Sequence, residues 1–127
     1  MAVSEGDLAF VLDQLAGLGD LRHRRLFSGV GFYCGERFFA LLYRGVLYLK
    51  VDDQTRGRYT RRRLTPFTPR PGRPSMSYYP VPAAVLEDAD ELRVWALEAV
   101  AVAERATAKK RTARPRSGRK SVRRPRT

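Results

Sequence analysis

The densest chemistry in the sequence lies in its last twenty-one residues, TAKKRTARPRSGRKSVRRPRT at 107–127, which hold ten Lys or Arg and no carboxylate. Cations at this density attract polyanions at moderate salt by releasing condensed counterions, without reading base sequence. The segment offers Lys109, Lys110, Arg111, Arg114, Arg116, Arg119, Lys120, Arg123, Arg124 and Arg126 as non-specific contacts to DNA. RNA or an anionic surface are the alternative polyanions, since charge alone does not separate them. A like-charged run with two prolines buries too little apolar surface to offset the entropy of ordering it, so disorder in isolation is expected. As a flexible coil such a segment reaches about 25 Å from its root.

A second basic group, Arg56, Arg58, Arg61, Arg62 and Arg63, falls in DDQTRGRYTRRRL. Helical spacing puts Arg58, Arg61 and Arg62 on one side, a candidate surface for nucleic acid or an acidic protein. The plainer reading is a solvated helix face paired with the carboxylates at 87–91. Lys50, Asp52 and Asp53 meet at a strand end, and with Tyr78 or Tyr79 they would suit a small-ligand or acid–base cleft. A helix cap beside a paired lysine accounts for the same residues. Tyr78 and Tyr79 point to opposite faces of a strand, so at most one of them joins the core.

Other constellations exclude chemistry. Gly29, Gly31 and Gly35 read as hairpin glycines, because no P-loop Lys-Ser/Thr pair or helix start follows them. His23 and Cys34 are the only residues of their types, too few for a zinc site or an intramolecular disulfide, and neither has the context of a catalytic dyad. No catalytic, cofactor-binding or metal-binding residue is assigned, and the expectation is a non-enzymatic protein.

These groups must be positioned by a single small domain, for which 127 residues with 43% hydrophobic content suffice. The formal charge of +12 is uneven: the final segment carries ten of the 25 cations and none of the 13 carboxylates, leaving a nearly neutral body. Ser4 and Asp7 resemble a capping box, and Leu8, Val11, Leu12, Leu15 and Leu18 then mark a helix over about residues 5–18. RRLFS, GFYC, RFFALLY and VLYLKV read as three or four short antiparallel strands, and in the last of them Leu47, Leu49 and Val51 share the core-facing side. An Asp N-cap at 52 or 53 opens a short basic helix, TPFTPRPGRP forms an extended proline-restricted loop, and SMSYYPV adds a strand. A final helix places Leu92, Trp95, Ala99, Val102 and Ala106 in one stripe, packing its Trp95 face on the sheet. The sum is a two-layer α+β domain with an antiparallel sheet of about five strands in the order α-β-β-β(-β)-α-β-α. It spans residues 1–106, and the basic segment follows at 107–127.

The start, MAVSEGDLAF, lacks the basic n-region of a secretory signal. No run approaches the roughly 18 apolar residues of a membrane span. The expected location is the cytoplasm, nucleoid-associated if the final segment engages DNA.

RRLFSGVGFY at 24–33, LYLKVDDQTR at 47–56, TPFTP at 65–69 and SMSYYPVP at 75–82, in this order and spacing, resemble the N-terminal domain of the TfoX (Sxy) family of competence regulators. The resemblance covers roughly residues 4–106. It puts the family's motif positions at Phe27, Gly29, Gly31, Tyr48, Lys50, Asp52, Arg56, Pro66, Phe67, Met76, Tyr78 and Tyr79, and implies that they define the fold, since the family attaches no catalytic role to them. It implies a regulatory module with a protein partner in transcription; in the family that partner is the cyclic-AMP receptor protein. Departures are Leu26 for a common Met, Ser28 for a common Gly, and Arg62-Arg63 where a small residue or Gly is usual. Full regulators continue into a helical second domain, whose place is taken here by the basic segment.

Overall fold

The computed structural model describes residues 5–26, 29–70, 73–75 and 77–113. Helix α1 (Glu5–Gln14) opens the chain, so the expected Ser4 cap lies outside the described residues. Turns carry the helical path on to Leu18, which sits in the core with Val11 and Leu15. Four strands then form a meander: β1 (Leu21–Leu26), β2 (Gly29–Cys34), β3 (Arg37–Tyr43) and β4 (Val46–Lys50). Arg44 and Gly45, with φ of 51° and 78°, form the two-residue β3–β4 turn, whose left-handed backbone matches the strand twist. Gly35, at φ 63°, turns β2 into β3.

Gly29 and Gly31, expected in hairpin turns, lie within β2. Their role is to clear space. A Cβ on Gly29 would stand 2.6 Å from the Leu42 carbonyl oxygen, and one on Gly31 2.6 Å from the Phe38 ring.

After β4 come the short helix α2 (Arg56–Thr60), the strands β5 (Phe67–Arg70) and β6 (Arg73–Ser75), and strand β7 (Tyr78–Pro80), which pairs antiparallel with β4. The five-stranded order is β1-β2-β3-β4-β7. The proline-rich stretch expected as a loop thus forms a small two-stranded sheet, β5-β6. Prolines are tolerated there because the strands have no further partner to receive the missing N–H.

Helix α3 (Ala83–Leu86) and the long helix α4 (Ala89–Ala113) complete the second layer. Asp88 caps α4, its Oδ1 accepting from the N–H groups of Asp90 at 3.1 Å and Glu91 at 3.2 Å. Leu92, Trp95, Ala99 and Val102 are buried as the stripe requires, together with Leu47, Leu49 and Val51 from β4. Ala106, expected to continue the stripe, is exposed. The helix continues seven residues past the charge boundary at Ala106 to Ala113. Ala, Lys and Arg are strong helix formers, and cations in a last turn suit the helix dipole. The rest of the basic segment, from Arg114, lies outside the described residues.

Candidate functional site

The strand end singled out by sequence opens onto a cleft of about 410 Å³ between β4, the approach to α2, and α4. Lys50, Asp52, Asp53, Gln54, Arg56, Ser77 and Arg105 supply its polar side chains. Asp52 organises the approach to α2. Its carbonyl accepts from Thr55 N at 3.1 Å and Arg56 N at 2.9 Å, and its Oδ1 accepts from Gln54 N at 3.0 Å. The residue flanking α2 is Thr55 rather than either aspartate, and its side-chain oxygen accepts from Asp52 N at 3.1 Å.

The second Asp52 oxygen receives Arg105 of α4 through Nε and Nη2, both at 2.8 Å. Partial burial alone would raise the Asp52 carboxyl. The Arg105 hydrogen bonds and charge, with the backbone N–H groups of Gln54 and Thr55, outweigh it and hold the carboxyl below its usual range. Asp53 is paired as well, with Arg56 Nη1 at 2.7 Å.

Lys50 and Tyr78 come together, Lys50 Nζ lying 3.3 Å from the Tyr78 hydroxyl and 5.0 Å from its ring centroid, but Tyr78 does not line the cleft that holds Asp52. Tyr79 goes the other way, into the core, where its ring stacks at 5.7 Å on Tyr59. Burial, with a smaller contribution from Tyr33, pushes the Tyr78 hydroxyl up to about 12.

The Arg58, Arg61 and Arg62 group is divided by Trp95. Arg58 and Arg62 place their guanidinium carbons 4.6 and 5.1 Å from the Trp95 ring, while Tyr59 meets that ring edge-on at 5.2 Å. Trp95, buried in one core with the sheet residues as expected, is also the platform for α2. Arg58 Nη1 also approaches Glu98 Oε1 at 3.2 Å, although this buried nitrogen makes no aligned hydrogen bond. The carboxylate that answers Arg58 is thus Glu98, not one of those at 87–91. Arg61 and Arg63 stay exposed.

Sequence reasoning missed Arg105, Trp95 as a cation platform, and Glu98. Only Arg105 had a signal: it follows Val102 by three residues, where the buried stripe of α4 reaches the end of β4.

Among the other expected positions, Lys109, Lys110 and Arg111 lie on the last turns of α4, while Arg114, Arg116, Arg119, Lys120, Arg123, Arg124 and Arg126 lie outside the described residues. Phe27 and Met76 are outside as well. Pro66 precedes β5, and Phe67 packs its ring on Tyr48 at 4.9 Å and on Tyr43 at 5.2 Å. Cys34 Sγ donates to Gly19 O at 3.2 Å, and His23 is exposed on β1.

The motif positions that are described therefore hold the hairpin, the strand end, the α2 approach and the β5 anchor of one fold. The family description TfoX N-terminal domain matches residues 13–103. The chain belongs to the TfoX N-terminal domain family. The match runs from α1 into α4 and takes in the whole five-stranded sheet and the cleft lining apart from Arg105 and Ala106. Comparison with curated proteins finds no match. Among the described residues of this TfoX N-terminal domain, no helix is long and apolar enough to cross a membrane, and no three His, Cys, Asp or Glu side chains are grouped to hold a metal ion.

Proposed function

We propose that this TfoX N-terminal domain protein is a non-enzymatic regulatory module, related to the competence and transcription regulators, that holds DNA non-specifically through its basic C-terminal segment. The observation that carries the reading is the course of α4. One helix leads from the buried Leu92 and Trp95 under the sheet to Ala113, three cations into the basic run. Polyanion contacts made there are mechanically tied to the domain core. The protein works in the cytoplasm, associated with the nucleoid, and its folded body meets a protein partner in transcription.

The cleft supports a structural role more than a catalytic one. Both of its carboxylates are taken up by arginines at 2.7–2.8 Å. A hydroxyl raised to about 12, as in Tyr78, is far from the near-neutral value a general acid or base needs. Crosslinking in cells tests the proposal. The natural chain should recover DNA, and a full-length variant with the seven cations from Arg114 to Arg126 replaced by glutamine should lose most of it. Equal recovery from both would overturn it; recovery of RNA alone would replace DNA by RNA.

A further inference from the structure

The two faces of the five-stranded sheet differ in kind. The inner face, with Val30, Phe32, Ala40, Leu42, Leu47, Leu49 and Tyr79, is buried under the helices. Strand register fixes the other face. Arg22 lies opposite Tyr33, and Arg24 opposite Gly31; Tyr33 lies opposite Phe38, Leu41 opposite Tyr48, and Lys50 opposite Tyr78.

Five aromatic rings thus share this outer face, and all are half-buried rather than enclosed. They form two groups. Tyr33 and Phe38 have centroids 5.1 Å apart, and Phe38 and Tyr78 5.9 Å, with Lys50 over the Tyr78 ring. Tyr43 and Tyr48 are joined through Phe67, with Arg44 5.3 Å over the Tyr43 ring. Gly31 lets the Phe38 ring lie against β2, since any side chain there would displace it.

Charge is segregated to match. None of the 13 carboxylates falls in any strand; all are on helices or in the segments between elements. The strands of the five-stranded sheet carry Arg22, Arg24, Arg25, Arg37 and Lys50, and β1 is an edge strand exposed along its basic middle. Beside Tyr33, the side chains of Arg22 and Arg24 border a depression of about 360 Å³. Among the described residues, Asp20, 3.1 Å from Arg22, and Glu36 reach this depression from the turns, while Arg37 at the same hairpin end is paired with Glu104 of α4 at 2.9 Å.

We infer that the outer sheet face binds single-stranded nucleic acid, with unpaired bases stacking on the Tyr33–Phe38–Tyr78 group and phosphates held by Arg22, Arg24 and Lys50. Half-exposed rings flanked by cations, with no carboxylate on the strands, are the arrangement that stacks bases and tracks a phosphate backbone. A second copy of the chain fits poorly. Two-fold pairing of this face would set Arg and Lys against their own kind without strand carboxylates to answer them.

The site is separable from the basic C-terminal segment. Phosphate density alone favours duplex over single strand, so a preference for the single strand cannot come from that segment. Fluorescence anisotropy with the full chain, an oligothymidylate and a duplex of equal length makes the test. The single strand should bind more tightly. Tyr33→Ala should weaken it roughly 5- to 100-fold while duplex affinity stays unchanged, and Tyr33→Phe should restore it. Arg24→Glu, on the exposed edge strand, gives the same contrast with little risk to folding. Equal affinity for both nucleic acids, or single-strand binding untouched by Tyr33→Ala and Arg24→Glu, would overturn the inference. Concentration-dependent dimers abolished by these substitutions would overturn it in favour of a self-association face. A change in the salt dependence of duplex binding on neutralising Arg114 to Arg126 bears only on the C-terminal segment.

Discussion

Replacing Gly29 by alanine adds one methyl group to a backbone conformation that alanine adopts freely, since Gly29 is not among the positive-φ residues. On conformational entropy alone the change should stabilise by roughly 0.4–1 kcal/mol, because it restricts the unfolded chain. The structure reverses the sign. The added Cβ would stand 2.6 Å from the Leu42 carbonyl oxygen, and that oxygen belongs to the backbone of β3 beside its pairing with β2. A side chain can swing aside, but this carbonyl cannot move without disturbing the strand register. Overpacking of this kind costs about 1–3 kcal/mol, leaving Gly29→Ala less stable by roughly 1–2 kcal/mol after the entropic gain. In a domain of this size that lowers Tm by about 5–15 °C. Gly31→Ala should cost less, because its obstacles are the tip of the half-exposed Phe38 ring and a Leu26 methyl. Gly6→Ala, in α1 with nothing within 4 Å of the new methyl, should be neutral or stabilising by up to about 1 kcal/mol. Thermal and urea unfolding followed by circular dichroism measure all three. A Gly29→Ala protein as stable as the natural chain, or a Gly6→Ala protein less stable than Gly29→Ala, would refute the close-approach argument.

Other outcomes follow from single contacts. Arg63 closes α2 at φ 61°, a left-handed position that favours glycine, so Arg63→Gly should raise stability by about 0.5–1 kcal/mol in chemical denaturation. The Asp52 carboxyl is held below its usual range in the fold. Its contribution is therefore fully present above the unfolded value near 3.9 and lost as pH falls through the lower folded value. Asp52→Asn should flatten the acid limb of stability against pH and cost about 1 kcal/mol or less at neutral pH, given the pair's partial exposure. Burial raises the hydroxyls of Tyr59 and Tyr78, the latter from 10.0 to about 12. Their contribution is full below pH 10 and disappears as pH rises through the folded values. Phenolate absorbance should accordingly lag behind that of free tyrosine, and Tyr78→Phe should remove part of the lag.

Much of this fold is legible in short-range pattern. Alternation in VLYLKV assigns Leu47, Leu49 and Val51 to the core, and helical spacing assigns Leu92, Trp95, Ala99 and Val102, because burial on one side is all that those patterns encode. Long-range pairing is not encoded that way. Asp52 meets Arg105 and Arg58 meets Glu98 only because α4 crosses the end of β4 and α2, a consequence of where a long helix lies on a twisted sheet. The pairing of β5 with β6 was hidden by prolines that argue against strands except where nothing further need pair. The left-handed Arg63 gives no local sign, since arginine is a good helix former. The aromatic outer face was obscured for another reason: alternation in VLYLKV turns Tyr48 away from the core, but Tyr33 and Phe38 have the composition of core residues, and only the register shows that they share the face of Tyr48.

The proposed grip of the basic segment on DNA would show itself in duplex affinity as a function of salt. The natural chain and the full-length variant with Arg114 to Arg126 neutralised would be compared from low to physiological ionic strength. Each phosphate neutralised contributes about −0.9 to the slope of log K against log salt, so loss of seven cations should make the slope shallower by up to about 6. The same slope and affinity in both proteins would show that the basic segment does not hold DNA.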